Sequence, residues 1–158
     1  MKQYISALMA CLITSGLLAQ TYKLEEIFSE NTTETYMSHY RLVEGDDPDE
    51  TFALWGYQRH YDDWDSGAYE VEYFKGTARE FYGFITAVAD FADKYKAEDQ
   101  VLTHISGVKV KTVSKALARK TLVFDTEQKV ACVYNHRQWA KIRDRFVRYA
   151  EKHNIVYE

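Results

Sequence analysis

Residues 77–96, TAREFYGFITAVADFADKYK, constrain the fold more than any other stretch of this chain. Phe81, Phe84, Ile85, Val88, Phe91, Ala92 and Tyr95 recur at helical spacing and cover an arc of about 120°, the width of a core-facing stripe. Thr77 followed by Glu80 fits a capping box, in which two side chains satisfy free N–H groups at the helix start. A helix with three phenylalanines on one side must bury them, and the strand-like runs around it are the available cover.

A second amphipathic segment, 136–153, follows Asn135 as a plausible N-cap. Its Trp139, Ile142, Phe146, Tyr149, Ala150 and His153 repeat the positions of Phe81, Phe84, Val88, Phe91, Ala92 and Tyr95 at a constant offset of 58. Each segment follows a hairpin-like pair of runs, so the chain can be divided into two strand–strand–helix units. Amphipathic helices placed after hairpins also look alike without common descent.

The strand signals are shorter. Residues 34–43 read as a first strand and 44–50 as an acidic turn holding the only proline. Residues 51–61 and 67–74 read as a hairpin with Tyr61 opposite Gly67. That register sets Trp55, Tyr57 and Tyr61 beside Tyr69, Val71 and Tyr73 on one aromatic face, the expected dock for the first helix. Residues 101–113 read as extended with a bend or bulge at Gly107, and 121–124 with 129–134 as a hairpin around Asp125 to Gln128. Leu24, Ile27 and Phe28 have helical spacing, so 21–34 reads as a short helix or an irregular lead-in. The sum is an α+β fold: an antiparallel sheet of about six strands with two main helices packed on one face.

Residues 1–19 read as a secretory signal peptide: Lys2 precedes an uncharged apolar run to Leu18, and Ala19 supplies the small residue at the cleavage position. The run is shorter than the roughly 20 residues a membrane span needs. Removing it leaves 20–158 as one α+β domain with no membrane span, exported to the periplasm or beyond the cell. Of the two cysteines only Cys132 then remains, so no internal disulfide forms, and its apolar run marks it as a small buried hydrophobe.

The formal net charge is −4, but it is unevenly spread. Residues 20–99 carry 7 Lys/Arg against 19 Asp/Glu, a net of −12, and residues 100–158 carry 12 against 5, a net of +7. Either the halves compensate within the fold, or the second presents a field suited to an anionic partner.

No zinc-protease, paired-cysteine, nucleophile-elbow or phosphate-loop motif is present, and no cofactor is implied. Two sets of residues remain as candidate ligand contacts. His60, Asp62, Asp63, Trp64 and Asp65 crowd one loop, where the carboxylates and imidazole suit a cation and Trp64 suits a sugar or a protein. An ordinary turn uses the same residues, and no metal ligand set is assigned. The other set is basic: Lys109 and Lys111 with Lys115, Arg119 and Lys120, and Arg145 and Arg148 with Arg137, Lys141 and Lys152 on the last helix, where Asp144 stands i,i+4 to Arg148. The expected function is a non-enzymatic binding or interaction domain of the bacterial periplasm or envelope, its partner an envelope protein, a glycan or an anionic polymer. Nucleic acid is not expected of an exported chain without a binding motif. The competing reading is a small metal-dependent hydrolase using the His60–Asp65 loop.

Overall fold

The computed structural model describes residues 23–31, 37–44, 51–58, 69–115, 118–128 and 130–158. Among them are eight strands and two helices, in the order β1 (Lys23–Asn31), β2 (Met37–Glu44), β3 (Thr51–Gln58), β4 (Tyr69–Thr77), α1 (Ala78–Lys94), β5 (Leu102–Ile105), β6 (Val108–Lys115), β7 (Ala118–Phe124), β8 (Ala131–Tyr134) and α2 (His136–His153).

The class is α+β, with the strands divided between two antiparallel four-stranded sheets, β1-β2-β3-β4 and β5-β6-β7-β8. Each sheet is a meander of sequential neighbours, and each meander feeds directly into one helix. The repeat in the sequence therefore corresponds to two units of four strands and a helix. Their N-caps, Thr77 and Asn135, keep the offset of 58, and both are full capping boxes, with Glu80 and Gln138 reaching back to the cap N–H. Phe81, Phe84, Val88 and Ala92 are buried, as are their counterparts Trp139, Ile142, Phe146 and Ala150. The equivalence stops at the helix ends: Tyr95 is half-buried, whereas His153 is exposed and stacks on Tyr149 with ring centroids 4.2 Å apart.

The helices run in opposite directions against each other, since Tyr82 meets Phe146 near one end and Asp90 meets Arg143 nearer the other. Each helix rests on the last strand of its own unit and also touches the first strand of the other, α1 against β5 and α2 against β1. One core results. Phe146 lies among Phe52, Phe81, Tyr82 and Tyr157, at centroid distances from 5.1 to 6.3 Å. In the second unit the buried indole of Trp139 donates to the Thr121 carbonyl at 3.2 Å, satisfying a polar group that burial would otherwise strand. The chain after α2 closes the same core: Asn154 turns left-handed, the Ile155 N–H donates to the Ala150 carbonyl, and the Tyr157 ring packs edge-on to Tyr82.

The single sheet of about six strands expected from the sequence is thus two sheets of four, because no strand pattern encodes which sheet it joins, and three further expectations are corrected. Residues 23–31 are a strand, not a helix or irregular lead-in. The β1–β2 register shifts between Glu26 and Phe28, and the extra residue, Ile27, breaks the two-residue alternation. Apolar side chains in a bulged strand mimic helical spacing, and both Ile27 and Phe28 pack against the core.

The aromatic face of the β3–β4 hairpin is also redrawn. Thr51↔Thr77 through Leu54↔Phe74 keep the expected register, but it shifts between Leu54 and Trp55, after which Trp55 opposes Glu72. The core face is built by Phe52, Leu54, Gly56, Val71 and Tyr73, and Trp55 points the other way with its indole N–H donating to Glu72 at 3.0 Å. The bulge turns two successive rings inward: Tyr73 is buried, and Phe74 stacks on Phe84 at 4.1 Å. Gly56 makes room for this, since a Cβ there would sit 2.8 Å from Cε2 of Tyr73.

Finally, 101–113 contains two strands. Ser106 (φ 49°) and Gly107 (φ 80°) form the two-residue turn of a tight hairpin, both positive as a type I′ turn demands. The hairpin around Asp125 to Gln128 is as expected, and Cys132 is fully buried within it.

Candidate functional site

The second helix is two-faced. Trp139, Ile142, Phe146 and Ala150 point into the core, while Arg137, Lys141, Arg145, Arg148 and Lys152 are exposed. At 100° per residue these five cations fall within an arc of about 80°. Four of them, with Ala140 and Asp144, line a shallow groove of about 300 Å³.

The charges on this face are not arranged for helix stability. Arg137–Lys141, Lys141–Arg145 and Arg148–Lys152 are i,i+4 pairs of like sign, each unfavourable by roughly 0.2–0.5 kcal/mol on an isolated helix. The first turn holds no acidic residue, and Arg137 sits near the positive end of the helix dipole. Asp144 does not pair with Arg148 as its spacing suggests; it accepts from Nε and Nη2 of its neighbour Arg143, both at 3.3 Å. Among the described residues no carboxylate lies within ion-pair distance of Arg137, Arg145 or Arg148.

The groove is held in place from β1. The Phe28 ring lies beneath Lys141 Nζ at 5.3 Å and the Arg145 guanidinium at 5.4 Å, and cation–π attraction fixes both stems without cancelling either charge. Glu30 takes a 2.7 Å bond from Lys141 Nζ, and the Tyr149 hydroxyl donates to Glu25 at 3.0 Å. The Tyr134 hydroxyl of β8 donates to the Glu30 carbonyl, so β1 is fastened to both α2 and the strand before it. Neither Phe28 nor Glu30 was among the sequence candidates. Nothing local signals a partner so far along the chain.

The expected basic set is therefore split. Arg145 and Arg148 belong to the α2 groove. Lys109 and Lys111 alternate with buried Val110 and Thr112, which places them on the side of the second sheet turned away from the core. Lys109 Nζ lies over the Phe124 ring at 4.8 Å and donates to Gln128 at 3.3 Å, beside a cleft of about 240 Å³ between the two hairpin turns. His60, Asp62, Asp63, Trp64 and Asp65 lie outside the described residues, as does the 1–19 segment.

Among the described residues no group of three or more His, Cys, Asp or Glu side chains converges as a metal site would, and no helix is long and apolar enough to cross a membrane. Burial pushes the Cys132 thiol far above its ordinary pKa, outweighing the backbone hydrogen bonds that favour the thiolate. What the arrangement offers chemically is attraction for anions.

Comparison with family models, curated proteins and solved structures finds no match.

Proposed function

We propose that this chain is an exported, non-enzymatic binding domain of the bacterial periplasm or envelope, and that the cationic face of α2 is its contact surface for an anionic partner. The observation that carries this reading is a helix face of five exposed cations of which, among the described residues, only Lys141 meets a carboxylate, that of Glu30, while Asp144 is turned to Arg143. Like charges held together at some cost to the helix are accounted for by a ligand that neutralises them. The signal-like 1–19 segment supports export.

Retention on a sulfonate resin at neutral pH and low salt tests this. A protein of net charge −4 flows through such a resin unless a local field holds it. Retention is expected, together with its loss in the Arg145→Glu/Arg148→Glu variant. Flow-through of the unaltered protein overturns the reading.

A further inference from the structure

We infer that the α2 face takes a linear polyanion, a flexible chain of sulfate or phosphate groups laid along the helix axis. The inference rests on the reading of α2 as a contact surface and adds the shape and chemistry of what it contacts.

Three observations select such a ligand. The first is the extent of the field. From Arg137 to Arg148 the cations march over roughly 16 Å of helix, and Lys152 lengthens this to roughly 22 Å at 1.5 Å per residue. They form a line and do not converge on one point, so a single small anion reaches no more than two of them. The second is the absence of apolar anchors. Protein interfaces concentrate their affinity in buried aromatic and aliphatic side chains, yet the groove holds only Ala140 beside its charged residues. The large hydrophobic side chains exposed among the described residues are Leu102 and Val156, neither on α2. The apolar side of α2 is committed to the core, so the helix has nothing to sink into a bilayer. The third is donor chemistry. Arg137, Arg145 and Arg148 offer planar forks that match tetrahedral oxoanions two bonds at a time, and Phe28 already holds the Arg145 and Lys141 stems in place.

The test is binding of the whole protein to inorganic polyphosphate and to sulfated oligosaccharides, each of graded length, with pyrophosphate and anionic phospholipid vesicles alongside. Affinity is expected to rise with chain length until the chain spans roughly 22 Å and then level off. Neutralising four cations by a flexible chain predicts a log–log salt slope of about 3. Arg137→Glu and Arg148→Glu, at opposite ends of the groove, should each weaken long chains at least about tenfold and leave pyrophosphate nearly unaffected; Lys111→Glu, off this face, should change neither. The arm that binds more tightly at equal charge and length identifies the source as phosphate or sulfate.

Affinity that does not depend on length, tighter binding to vesicles than to chains, or loss on Lys111→Glu equal to that on Arg148→Glu overturns the inference. If resin retention through α2 survives while length dependence fails, the polyanion is wrong and the anionic contact surface stands. Failure of both removes both.

Discussion

Phe52 of the first sheet meets Phe146 of the second unit's helix edge to face, with ring centroids 5.2 Å apart and ring planes at 89°. Phe81 closes the triangle, 6.0 Å from Phe52 and 5.1 Å from Phe146, and all three rings are fully buried. The two units therefore share one aromatic core. Phe146→Ala is expected to cost about 3–5 kcal/mol, a large share of the 5–15 kcal/mol typical of a whole domain. Denaturant melts should show one transition, coincident by far-UV dichroism and tryptophan fluorescence. Two separate transitions would mean the units fold apart.

Gly56 is a point of close approach between the first sheet's backbone and a buried ring. Gly56→Ala sets a methyl group 2.8 Å from the Tyr73 ring, and the ring is hemmed in by the core. A loss of about 1–3 kcal/mol is expected from overpacking. The loss should shrink in a Tyr73→Leu background, where the obstructing ring is gone. Equal losses in both backgrounds would show that the cost lies in the backbone.

Acid should act unequally on the two helix caps. The backbone N–H and hydroxyl of Thr77 donate to the Glu80 carboxylate and hold its pKa below the ordinary value. Its contribution is thus present above the unfolded glutamate pKa and is lost as pH falls through the lower folded one. Gln138 does the same work for α2 without a titratable group. Glu80→Gln keeps the box and should flatten the acid limb of a melting-temperature profile as pH falls below the ordinary glutamate range. Asp93, held low by Lys96, keeps its share of that limb in the variant.

Cys132 should be inert to thiol reagents in the folded protein. It is fully buried and its thiol resists ionisation, and the thiolate is the reactive form. Alkylation is expected to follow the rate or equilibrium of unfolding, and so to accelerate with denaturant in step with the melt. Fast labelling under native conditions would place Cys132 at a surface.

The reading of the loop at His60 to Asp65 as a contact and not a metal site also has a measurable consequence. Calcium, zinc or manganese should leave the melting temperature unchanged, because a cation bound only by the folded state would raise it.

What was legible in the sequence was whatever a short segment dictates alone. Thr77 with Glu80 and Asn135 with Asx-type capping power mark both helix starts, and the apolar stripes give the buried faces nearly residue for residue. The cationic stripe of α2 was legible for the same reason, since spacing on a helix is geometry. The strands were harder. A single extra residue at Ile27 disguised β1, and another shift at Leu54/Trp55 sent Trp55 to the outer face. Neither bulge has a local signature. Nor does any strand say which sheet it joins, so one sheet in the sequence became two in the fold. The support of the groove was invisible because Lys141 and Glu30 stand 111 residues apart.

That separation sets an order of events. The partner of β1 along its helix-facing side is the last helix of the chain, 18 residues that leave the ribosome more than a hundred residues later. Until they arrive, Ile27 and Phe28 lack that cover, and a nascent chain cannot close its first sheet into the finished core. The cover of the first sheet therefore waits on α2, and any truncation that removes α2 strips the cationic face and uncovers the opening strand at one stroke.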